Sequence, residues 1–224
     1  MVEITTDTPR NRLRTALWGI SSSARLQAAL AAGTRPDGSY IEVLVQRCEV
    51  EPDFFVRDML TWALTRHDPA LTVKAVLPEL RSSSPQARSQ ALHTLSKIGD
   101  PKTGDAITVD LLHDDDVEVA RAAWRAAAGL VPQGGEALLA QELVSELGRG
   151  DRETQRSLSR AFAVLGAAVE SVIEDAARSE NDAVSAHAVA TLAIMADPDE
   201  GFDAATAEAK RVVALRGAPT VQEQ

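Results

Sequence analysis

The sequence predicts an all-α protein, a right-handed α-solenoid (α-α superhelix) of about five helix pairs closed by helical caps. Three observations point there. Small polar residues suited to start a helix recur at Asp53, Ser84, Asp116, Asp151 and Asn181, at intervals of 31, 32, 35 and 30 residues. Each precedes an apolar stripe at helical spacing and follows a second apolar segment. Period-two alternation of β-branched and aromatic residues, the mark of strands, is scarce. A helix pair recurring at this period is the pattern of stacked two-helix repeats.

The elements follow in order. TPRNRLRTALWGI and SSSARLQAALAAG (about 9–32) read as a short capping pair, with Ser21 to Ser23 available to start its second helix. Trp18 and Leu26 are expected to cover the first repeat. GTRPDGS (33–39) is a turn-rich joint. In the repeats that follow, Asp, Ser or Asn accepts a hydrogen bond from an orphan N–H at the helix start. Pro85 sits directly after Ser84, where a missing N–H does least harm.

Three residues past each cap lie Val56, Ala87, Val119, Thr154 and Val184. Continuing by 4, 8 and 11 residues gives Leu60, Leu64 and His67 in the first unit and Leu158, Phe162 and Leu165 in the fourth. On a helix of about 3.6 residues per turn these offsets fall within about 80° of one another. One face of each second helix is therefore buried. The preceding helices carry Leu44 and Val45, then Val76, Leu77 and Leu80, with like sets further on. DPDEGFDAATAEAKRVVAL (197–215) reads as a closing helix and RGAPTVQEQ as a mobile tail. The expected organisation is 1–38 as tail and capping pair, 39–196 as the array, and 197–224 as capping helix and tail.

Composition narrows function. The net charge is −10 and the pI about 4.9, which disfavours general affinity for nucleic acid or anionic membranes. The single cysteine, Cys48, shares a helix face with Ile41, Leu44 and Val45 and reads as a small buried hydrophobe. The polar start MVEITTDTPR shows no leader, and no apolar run approaches the ~18–20 residues of a membrane span, so a cytoplasmic location is expected. No metal or cofactor is expected. His67, His93, His113 and His187 lack ligand spacing, and Asp114 to Asp116 lack the rest of a calcium loop. Asp116 serves better as a cap and Asp114 as a turn residue. Phosphate-loop, nucleophile-elbow and dinucleotide fingerprints do not occur.

LPELRSSSPQARSQALHTLSKIGD resembles the HEAT repeat, in particular the short variety grouped with phycobilisome-lyase-type repeats. The resemblance rests on Pro78 in the first helix, the pairs Val56-Arg57 and Ala87-Arg88 opening the second, and Ile98-Gly99 closing it. It spans roughly 40–196 and departs at Ala120, Gln155 and Ser185, where the arginine that the family often uses for a ladder between repeats is missing. It implies HEAT-like helix pairs whose second helices line a concave surface, and a role as an interaction scaffold. HEAT-like alkylpurine DNA glycosylases also use such a face, and Trp62, Asp58, Arg88 and Arg121 fit that chemistry loosely. Duplex DNA, however, needs a basic groove along its whole length, which a charge of −10 argues against. A small-ligand sensor is the third reading, marked by a closed pocket around Trp62.

Offsets 2 and 6 point away from the buried stripe. At offset 2 stand Asp58, Ser89, Arg121, Arg156 and Ala186; at offset 6, Trp62, His93, Arg125, Arg160 and Ala190. Arg121, Arg125, Arg156 and Arg160 thus form two i, i+4 pairs on adjacent helices, about 8–10 Å apart. Like charges at that spacing are mildly unfavourable on a lone helix. The functional reading is a groove for a protein partner, an acidic segment or a phosphorylated one, because the guanidinium fork matches carboxylate and phosphate. Asp58, Met59, Trp62 and His93 are its expected apolar, aromatic end. The plainer reading pairs the arginines with Asp115, Glu118 or Glu153. Trp124, at offset 5, reads as packing between helices.

Overall fold

An oxygen-bearing side chain ahead of an apolar stripe sets where each long helix begins. In the computed structural model, which describes residues 8–197 and 202–216, all five expected caps accept from a backbone N–H at a helix start. Asp53 accepts from Val56, Ser84 from Ala87, Asp151 from Thr154, Asp116 from Glu118 and Val119, and Asn181 from Ala183 and Val184. Each such cap is worth about 1 kcal/mol. The described residues are helical and contain no strand.

Two compact units divide the chain, Met1–Ile107 and Thr108–Gln224. The first holds α1 (Pro9–Leu17), α2 (Ser22–Thr34), α3 (Ile41–Val50), α4 (Phe54–Thr65), α5 (Pro69–Val76) and α6 (Pro85–Ile98). There α4 packs between α2 and α6, while α3 packs against α1, α4, α5 and α6. The second unit holds α7 (Val109–Leu112), α8 (Val117–Leu130), α9 (Glu136–Leu143), α10 (Arg152–Leu165), α11 (Glu170–Ala176), α12 (Asp182–Ala196) and α13 (Phe202–Arg216). Here α10 packs between α8 and α12, with α9 against α7, α8, α10 and α11. Within each unit, then, successive second helices are neighbours and the first helices form the other layer, the α-solenoid arrangement.

The buried stripes of α4 and α10 are where the spacing puts them, whereas in α12 the expected stripe residues Val184, Leu192 and Met195 are only half-buried. Val56, Leu60 and Leu64 are buried in α4, with His67 buried just past its end, and Thr154, Leu158, Phe162 and Leu165 are buried in α10. Trp124 is fully buried, its indole N–H donating to the Leu112 carbonyl at 2.8 Å and so fixing α8 on α7. Cys48 is buried, and burial pushes its thiol up to about 12. Pro78 lacks an N–H, so α5 stops at Val76 and the chain continues as a 3-10 turn over Leu77–Arg81.

The position four residues past each cap has a common task. Arg57 donates to the carbonyls of Glu51 and Pro52, and Arg88 to that of Ser82, pinning the loop ahead of their own helix. Where the arginine is missing, other donors serve. Gln155 reaches the carbonyls of Gly148 and Gly150, and Ser185 that of Ala177. Ala120 has no donor, and Arg149 supplies it from the following loop, reaching the Asp114 carbonyl at 2.5 Å. The requirement belongs to the backbone, since loop carbonyls removed from water need partners, and several side chains meet it.

The N-terminal pair is closer to a full repeat than its sequence promised. Ser21 caps α2, and Arg25, four residues on, donates to the carbonyls of Gly19 and Ile20. Leu13 and Leu17, not Trp18, form its buried side. Trp18 is 43% exposed and lies between the guanidiniums of Arg14 and Arg47, 5.5 and 5.4 Å from the ring centre. Arg25 also grips Glu51 through two bonds of 2.8 and 2.7 Å, and Arg47 takes the same carboxylate.

The closing helix, α13, packs on α12. Ala186 and Ala190, expected to continue the outward strip, are buried beneath Ala205 and Ala209. Small side chains on both helices permit the approach. The expected mobile tail lies, apart from Arg216, outside the described residues.

Candidate functional site

Five arginines converge on a groove between α8 and α10. Arg121 and Arg125 come from α8; Arg152, Arg156 and Arg160 come from α10. The buried stripes on the opposite sides of these helices orient them, so residues two and six past the stripe's start turn outward together. The groove encloses about 580 Å³, with Ala128, Ala161 and Val164 as its apolar wall and Glu153 as its single acidic lining residue.

The guanidiniums differ in their surroundings. Arg121 is largely covered and holds two carboxylates, Glu118 and Glu153, at 2.9 Å each. Its Nε is buried without a hydrogen-bond partner. Burial, then the neighbouring Arg121 and Arg160, press the Arg125 guanidinium below its ordinary pKa, with Glu118 opposing. Among the described residues, Arg125, Arg156 and Arg160 have no carboxylate at ion-pair distance. The expectation of pairing with Glu118 or Glu153 therefore describes Arg121 and not the other three.

The groove is lined by the second unit alone. In the first unit, Asp58 is exposed and Met59 and His93 are half-buried. Trp62 is 38% exposed, and the edge of its ring rests on α2. A Cβ at Gly33 would meet Trp62 Cζ3 at 2.4 Å and the Ala63 Cα at 2.8 Å, so this contact requires glycine. Arg152 was missed in the sequence. It is the first residue of α10, next to its cap, and the offset pattern that found the other four skips that position.

Residues 41–129 match the family of HEAT repeats. Over this segment the chain is similar to a HEAT array. The match covers the first three of the expected units, from α3 through α8, and includes the α8 half of the groove. Among solved structures, a crystallographic structure of an engineered protein from the Northeast Structural Genomics Consortium is similar over 94% of this chain and 98% of its own, at 20% identity and a TM-score of 0.49. No curated protein matches the sequence. No helix among the described residues is long and apolar enough to cross a membrane.

Proposed function

We propose that the protein is a non-catalytic scaffold or regulatory module that holds an acidic segment of a protein partner in the α8–α10 groove. One observation carries this reading: five arginines and a single glutamate line an open groove in a chain of net charge −10. HEAT repeats supply the framework, and their stacked helices present side chains in rows suited to an extended ligand. Arginine forks give paired hydrogen bonds to carboxylates that lysine does not.

The test uses fluorescein-labelled hexaglutamate and fluorescence anisotropy. The intact protein binds the peptide, and Arg125→Glu with Arg160→Glu weakens binding more than about tenfold, the loss of one charge-assisted interaction or more. Both side chains open into the groove and neither is part of the core, so the helical signal and melting temperature stay nearly constant. Equal binding by the variant refutes the groove as the site.

A further inference from the structure

We propose that Arg125, Arg156 and Arg160 form a seat for a phosphate monoester carried on a serine or threonine of the partner protein. This rests on the groove being the partner-binding surface. The five arginines are not equivalent. Arg121 already has its anions, since Glu118 and Glu153 each stand 2.9 Å from it. Both carboxylates are tethered to neighbouring turns, so they compete at high effective concentration, and a single outside carboxylate gains little by replacing one. Arg125, Arg156 and Arg160 line the same groove without a carboxylate partner among the described residues.

The chemistry of that residual charge favours phosphate. One carboxylate brings one negative charge and two acceptor oxygens. A phosphate monoester brings about −1.5 to −2 at pH 7 and three strong acceptors, enough to take forks from both helices at once. The depressed guanidinium of Arg125, beside Arg121 and Arg160, marks a place where like charges are held together under partial burial. A dianion relieves this more than a monoanion does. All five cations are arginine, the residue whose planar fork fits phosphate oxygens. The wall of Ala128, Ala161 and Val164 accommodates the aliphatic part of the residue that bears the phosphate.

The probes are two heptapeptides, Gly-Ser-Gly-X-Gly-Ser-Gly, with X either phosphoserine or glutamate, titrated calorimetrically into the full chain at pH 7.5 and 5.5. The phosphopeptide is expected to bind at least tenfold more tightly at pH 7.5 and to weaken several-fold at pH 5.5, as its second proton returns near a pKa of about 6. The glutamate peptide changes little between these values. No histidine lines the groove, and His187, packed against α10 behind it, acts on both peptides alike, so a response confined to the phosphopeptide belongs to the phosphate. Arg125→Lys with Arg160→Lys keeps the charge, removes the forks and narrows the preference for phosphoserine. Equal affinity for the two peptides at both pH values overturns the phosphate seat; binding of hexaglutamate that still depends on Arg125 and Arg160 then leaves the groove reading standing. If neither hexaglutamate nor the phosphopeptide binds, both readings fall.

Discussion

Glu51 is the residue on which the first unit's N-terminal half turns. It is wholly buried, shared by Arg25 and Arg47, and also accepts from the Asp53 backbone N–H at 3.0 Å. Burial alone would raise its pKa, but the hydrogen bonds from Arg25, Asp53 and Arg47 outweigh it and bring the carboxyl down to about 2. A carboxyl with a depressed folded pKa contributes stability that is complete above its unfolded value, near 4.5, and is lost as pH falls toward 2. Glu51→Gln strands two buried guanidiniums, and urea denaturation should show a loss of about 3–5 kcal/mol. Gly33→Ala forces the Trp62 ring away from α2, and the same measurement should show about 1–3 kcal/mol from overpacking.

The seam between α10 and α12 carries a different device. His187 accepts from the Gly148 N–H through Nδ1 at 3.0 Å, while its Nε2 lies 3.0 Å from both the Ser159 hydroxyl and the Gln155 carbonyl. Ser159 in turn meets Thr191 at 2.8 Å. The Nδ1 lone pair is therefore in use, and the ring is neutral with its proton on Nε2. Burial lowers the His187 pKa to about 4, against the opposing pull of the Gln155 carbonyl. A histidine with a depressed folded pKa loses stability as pH falls from 6.5 to 4, because the unfolded chain binds the proton first. Hydrogen-exchange protection of α10 and α12, measured against the intrinsic rate at each pH, should fall across that window, ahead of the first unit's response below pH 4.5. His187→Asn, which keeps an acceptor for Gly148, should remove the dependence; an unchanged profile would mean that another group titrates.

Helix starts and buried stripes were legible because both are local: a cap is one residue from its helix, and a stripe is a spacing. The four arginines were legible for the same reason. The Arg25–Glu51–Arg47 cluster and the His187 network join residues far apart in sequence, and no short pattern announces them. The burial of Ala186 and Ala190 had a faint signal: two alanines where the preceding repeats carry arginines mark a face that another helix covers. The substitutes for the missing arginine, Gln155, Ser185 and Arg149, share no residue type, only a donor able to reach the same carbonyls.

At the scale of the whole molecule, charge distribution decides what the groove attracts. The chain repels polyanions in general, yet one groove of the second unit concentrates five cations. Field lines focus in such a groove, and screening weakens them at high salt. Affinity for hexaglutamate should therefore fall steadily as ionic strength rises; an affinity indifferent to salt would point to apolar docking instead. The most direct measurement is the arginine side-chain Nε–Hε NMR spectrum of the full chain with and without hexaglutamate. The groove predicts shifts concentrated at Arg125, Arg156 and Arg160, with the arginines of the first unit unmoved. Shifts spread evenly over the arginines, or confined to those of the first unit, would contradict it.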